Sequence, residues 1–192
     1  LTLAASKLIN SNDSDVTITV WDLDLAGSLT SGTKTITVHG SQSAQTVGLG
    51  ATAKDMHIVN AEIGRITAAD GFILGSNTGG SITVNGVLTA ESTKLTDVVT
   101  IIAKSNGAQI VFTTTASTFT ALEAQADNGV KVNKDVTAAP GWLYFDGDME
   151  NSGEGLTGYN QVGFTDGRSV TATTVLTLES STGKGTLWIV NE

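Results

Sequence analysis

Ile82-Thr-Val-Asn-Gly-Val-Leu-Thr89 and Val130-Lys-Val-Asn-Lys-Asp-Val-Thr137 share one wording: an apolar alternation, a polar corner, then a second alternation. In an extended chain successive side chains point to opposite faces, so Ile82 and Val84 share one side and Thr83 takes the other. Asn and Gly tolerate the left-handed backbone that a tight change of direction needs. Similar units recur at Val16–Val20 (VTITV), Thr35–Val38, Val98–Ile102, Gln109–Phe112, Trp142–Phe145, Val175–Leu178 and Thr186–Val190. Gly, Asn, Asp or Ser bounds each one, which is the pattern of short strands separated by turns.

A Val followed by a small polar residue marks candidate corners at Val38-His39, Val59-Asn60, Val84-Asn85 and Val132-Asn133, spaced by 21, 25 and 48 residues. Phe112-Thr113 splits the longest interval, and Phe164-Thr165 follows 32 residues after Val132. A polar loop insertion near 147–160 accounts for that excess. A drifting period in the twenties with three strand-like pieces predicts an all-β fold, a right-handed parallel β-helix (β-solenoid). Asn60, Asn85 and Asn133 are its expected coil-corner residues, with amides bonding from coil to coil. The apolar positions fill the lumen and Thr lines the outside, in about seven coils spaced ~4.8 Å apart. A β-sandwich also spaces strands closely, but the single Pro and the scarcity of hairpin-type turn pairs favour the solenoid. Both ends read as strands, so residues 1–192 are expected to be one solenoid segment excerpted from a longer repetitive protein.

Only 15 % of the 192 residues are charged, against about 25 % in an ordinary domain. The chain is rich in Thr and Val and carries a net charge of −9. That balance argues against nucleic acid, which needs clustered Lys and Arg. There is no Cys, hence no disulfide or thiolate metal site. No apolar run approaches the ~18 residues that a membrane helix requires, so no membrane insertion is expected.

Glu62-Ile-Gly-Arg-Ile-Thr-Ala-Ala-Asp-Gly-Phe-Ile-Leu-Gly75 and Gly80-Ser-Ile-Thr-Val-Asn-Gly-Val-Leu-Thr-Ala90 resemble the repeats of filamentous-haemagglutinin-like adhesin shafts. Asp127–Val132, Leu143–Asp148 and Gly167–Ala172 look like the same wording, so the resemblance covers most of 45–185. It implies a right-handed β-helix, an extracellular or cell-surface location, and a structural or adhesive role. The partners it implies are neighbouring segments or copies of the same protein, in a fibre or surface layer, or a cell-surface glycan or receptor.

Three groups of residues are candidates for chemistry or contact. Trp142 and Tyr144 alternate with Leu143 and Phe145, so they are expected to face outward, where aromatics stack on sugars or dock a chain. Asp146, Asp148 and Glu150, continuing toward Glu154, place alternate carboxylates in a Gly-containing loop, a pattern suited to Ca²⁺. No other cofactor is implied. Asn12, Asp13 and Asp15 form a weaker acidic group. The Thr17/Thr19, Thr35/Thr37, Ser81/Thr83, Thr113/Thr115 and Thr171/Thr173 pairs raise an ice-binding solenoid as a lesser alternative. His39 is expected at a corner, and His57 on an outer face. No nucleophile elbow, zinc-protease motif or phosphate loop is present. The chain is therefore not expected to be an enzyme. A glycan-binding or glycan-active β-helix is the alternative, and a groove of converging carboxylates with a base would favour it.

Overall fold

A computed structural model describes residues 1–95, 97–151 and 160–180. The strand-like Thr186–Val190 and the acidic Glu154 lie outside the described residues. Among those described, the fold is all-β apart from two four-residue helices, α1 (Asn60–Ile63) and α2 (Thr89–Ser92). Every strand pair among them is parallel.

The largest sheet has seven strands in chain order: Val16–Val20, Ile36–Gly40, Phe72–Ser76, Val99–Ala103, Leu122–Ala126, Leu143–Asp146 and Leu176–Glu179. A second sheet has six: Met56–Ile58, Val47–Gly50, Ile82–Asn85, Ile110–Phe112, Val130–Val132 and Val162–Phe164. Two three-stranded sheets follow, Leu8–Asn10 with Ser28–Gly32 and Ile66–Ala68, and Ser117–Phe119 with Val136–Ala138 and Val170–Ala172. Thr2–Leu3 and Asp24–Leu25 pair alone. Parallel neighbours need a long connection. Here the connections carry strands of the other sheets, except between Val47–Gly50 and Met56–Ile58, which follow one another directly.

Period-2 patterning sets which side chains enter the interior. Along the large sheet, Val16, Ile36, Phe72, Val99, Leu122, Leu143 and Leu176 occupy one register column. Ile18, Val38, Leu74, Ile101, Ala124, Phe145 and Leu178 occupy the next inward column. Between them stands the outward column of Thr17, Thr37, Ile73, Thr100, Glu123, Tyr144 and Thr177. In the middle rungs the inward residues are wholly buried, and one hydrophobic cluster includes residues of all five sheets. Phe112 of the six-stranded sheet stacks on Phe145 of the seven-stranded one, centroids 5.3 Å apart.

The corner marker holds for part of the chain. Val84, Phe112, Val132 and Phe164 stack in one column. Val38 does not belong to it, because it lies mid-strand in the other sheet. The column's preceding member is Leu49, opposite Val84, with Gly50 opposite Asn85. Asn60 opens α1 instead of turning a corner. Nor do Asn60, Asn85 and Asn133 take the left-handed conformation; neighbouring positions that do include Gly50 (φ 88°) and Gly86 (φ 66°), where no Cβ opposes it.

The 147–160 stretch is not the sole lengthening. Ile36 is in register with Phe72, a longer step than the 20 residues from Thr19 to His39. The extra length doubles back: Val47–Gly50 is followed by Met56–Ile58, which pairs beside it in parallel, and then by α1. Gly48 permits this, since a Cβ there would run into the Thr52 carbonyl. The following turn contains α2.

Candidate functional site

Two acidic regions hold the chemistry among the described residues. The first is a groove of about 340 Å³ near the N-terminal rungs, lined by Asp22, Asp24, His57, Glu62, Arg65 and neighbouring aliphatics. Glu62 comes from α1 and is 6 % exposed. Its Oε1 accepts the Leu25 N–H at 2.8 Å, and its Oε2 the Val59 N–H at 2.8 Å. Burial pushes its carboxyl above the usual range, and the Asp22 and Asp24 charges add to that push, while the two N–H donors work against it. Arg65 Nη1 donates to the Leu25 carbonyl at 2.6 Å, and Asp22 Oδ1 accepts the His57 N–H at 2.9 Å. Both Glu62 oxygens and Arg65 Nη1 thus brace the backbone. Glu62→Gln replaces one acceptor by a donor facing a buried N–H. It is expected to cost about 1–3 kcal/mol of unfolding free energy, read from urea denaturation.

The second region lies where Leu122–Ala126 and Leu143–Asp146 run side by side. The Met149 N–H donates to the Ala126 carbonyl at 3.0 Å, which carries the pairing past the strand ends. Asp127 and Asp148 are thereby brought to neighbouring rungs, 4 % and 1 % exposed. Asp127 Oδ2 accepts the Gly107 N–H at 2.6 Å, but its Oδ1 has no partner, and neither carboxylate oxygen of Asp148 has one. Asp146 Oδ1 accepts the Asp148 N–H at 3.0 Å. Burial, together with the Glu150 carboxyl and the Asp148 charge, pushes Asp127 up to about 6. Burial first, then the Glu179 and Asp148 charges, also raises Asp146, against hydrogen bonds from Asp148 and Tyr144.

A carboxyl whose folded value exceeds its unfolded one stabilises the fold when protonated. Asp127's contribution is therefore full below the ordinary value of 3.8 and is lost as pH rises through about 6. In metal-free buffer the stability difference between wild type and Asp127→Asn should change across that window, the wild type losing ground as pH rises. A difference flat with pH would contradict the raised value.

Asp146, Asp148 and Glu150 stand out as a run in the sequence, but Asp127, on the neighbouring strand, does not. The Asp127-Asn-Gly129 wording could flag it only once the register is known. Asp146 Oδ2 lies 3.4 Å from the Tyr144 hydroxyl, whose shorter bond goes to Glu179. No group of three or more His, Asp or Glu side chains stands ready to hold a metal ion among the described residues.

Leu143 and Phe145 point inward as expected, both wholly buried. Tyr144 is outward but tethered, its hydroxyl donating to Glu179 Oε2 at 2.7 Å. Burial, and then that carboxylate, push the hydroxyl's pKa above its usual range, so it stays protonated. Trp142 precedes the strand and is half-buried.

The three Asn side chains brace different places. Asn60 Nδ2 donates to the Gly86 carbonyl at 2.8 Å, and its Oδ1 accepts the Leu88 N–H at 3.0 Å. Asn85 bonds Thr52 and the Thr115 N–H. Asn133 Oδ1 accepts the Thr165 hydroxyl at 2.8 Å. Asn85 and Asn133 do not bond each other, because the Phe112-Thr113 rung lies between them.

His39 is the next-to-last residue of the strand Ile36–Gly40, still paired in the ladder, with Nε2 3.0 Å from the Thr19 hydroxyl. Thr17 faces Thr37, but Thr19 faces His39, and Ile73 follows Thr37. Thr83 and Thr171 stand in other sheets. The T-x-T pairs therefore do not stack into one array.

No family model, curated protein or solved structure matches this chain.

Proposed function

We propose that the parallel sheets wind as a right-handed β-solenoid and that the chain serves as a structural, adhesive shaft. Right-handed connection is the rule for parallel strand crossovers. The observation that carries the reading is the unbroken column of seven parallel strands over a shared aliphatic interior. Continuous backbone ladders resist bending and stretching, and each rung shields its neighbour's apolar side, as in other stacked-repeat proteins.

The resemblance to filamentous-haemagglutinin-like shafts supports an extracellular or cell-surface setting. Neighbouring segments or further copies of the same protein are its proposed partners. The strand Val16–Val20 ends the seven-stranded sheet and has one unpaired edge. Such an edge templates pairing with another chain. Electron microscopy of the purified protein tests this: filaments with a continuous β-core support assembly, and dispersed short rods contradict it.

The groove at Asp22, Asp24, His57, Glu62 and Arg65 favours a second reading, a glycan-active solenoid. It gathers carboxylates and basic groups in one place. The commitment of Glu62 and Arg65 to backbone partners favours the shaft. Incubation with acidic polysaccharides separates the two, since the shaft leaves chain length unchanged and an enzyme shortens it.

A further inference from the structure

We propose that Asp127 and Asp148, on neighbouring rungs, form the fixed half of a calcium-type cation site that Glu150 completes. Three carboxylate oxygens here, Asp127 Oδ1 and both of Asp148, are buried with no hydrogen-bond partner. A buried carboxylate without partners is costly, and pairing or metal coordination is what normally offsets that cost. No Lys or Arg is among the groups acting on Asp127; Glu150 and Asp148 are, and both are acidic. Glu150 is exposed and its side chain reaches Asp127. A proton shared between Asp127 and Glu150 would ease their own repulsion but leave both Asp148 oxygens bare. A divalent cation would engage both aspartates at once.

The chemistry selects the ion. All candidate ligands are oxygens, which suits calcium or magnesium over softer metals. The two aspartates are fixed by the rungs while Glu150 is exposed. Such a partly formed site suits calcium, which accepts six to eight oxygens in flexible geometry, better than magnesium, which demands a near-ideal octahedron. Among the described residues no three carboxylates form a closed cage, so the site requires Glu150 to swing in when the ion binds. Ion binding would pin the 147–151 stretch to the rung beneath it, so the site would clamp two turns together.

The test is thermal melting and calorimetric titration of the full chain near neutral pH, in EDTA, calcium or magnesium. Calcium is expected to bind saturably and raise the melting temperature, with a smaller response to magnesium. Asp148→Asn and Asp127→Asn should each weaken calcium binding by roughly tenfold or more. In EDTA, Asp148→Asn should melt no lower than wild type, because it removes a buried charge. Loss of its calcium response would then not reflect misfolding. Glu150→Gln should weaken binding without changing the EDTA melt. No calcium uptake with identical melts in EDTA and calcium would overturn the proposal, as would Asp148→Asn retaining the wild-type response.

Discussion

Phe145→Ala is expected to lower the unfolding free energy by about 3–5 kcal/mol. The ring is wholly buried in Leu143–Asp146, stacked at 27° on Phe112 of the neighbouring sheet. Its register partners are Ala124 on one side and Leu178 on the other. The small Ala124 makes room for the large ring, so truncation leaves a void that neither neighbour can fill. Most domains hold only about 5–15 kcal/mol in total, so a loss of this size would move the urea midpoint far. Phe145→Leu keeps much of the volume and should cost clearly less. A Phe145→Ala loss below about 1 kcal/mol would mean the two sheets do not share a packed interior.

Gly75→Ala should be the second severe change, and Gly107→Ala is its control. Both glycines have positive φ, 97° and 80°. A side chain at either position meets backbone strain on the order of 1–3 kcal/mol. Their surroundings differ. A Cβ at Gly107 meets open space, whereas one at Gly75 would strike the Ile102 carbonyl of the next rung and lie 3.0 Å from Ile82 Cδ1. The rung above cannot retreat without breaking its own ladder, because Gly75 sits opposite Ile102 in the pairing. Gly75→Ala should therefore cost about 1–3 kcal/mol more than Gly107→Ala in parallel denaturation curves. Equal costs would mean that the neighbouring rung is not where the register places it.

The strand positions were legible because period-2 patterning is local. VTITV declares its inward face without reference to any other residue. Parallel pairing was legible in outline, since Val84, Phe112, Val132 and Phe164 carry the same corner wording and do stack. Val38-His39 carries that wording too, yet belongs to the other sheet. Dipeptide signals cannot distinguish sheets when several sheets are built from similar strands. The doubling-back at Met56–Ile58 was illegible for a different reason: it rests on Gly48 lying beneath the Thr52 carbonyl, a contact that composition does not encode. The acidic loop was visible as a local run. Its principal partner, Asp127, was not, because 21 residues separate it from Asp148 and only the ladder joins them.

The central claim is that rungs lie parallel and in register, and through-space NMR contacts along the backbone test it directly. The account predicts contacts linking Ile73 to Thr100 and Thr100 to Glu123, running with the same chain direction throughout. Contacts placing Phe72–Ser76 antiparallel to Ile82–Asn85, as in a hairpin, would contradict it.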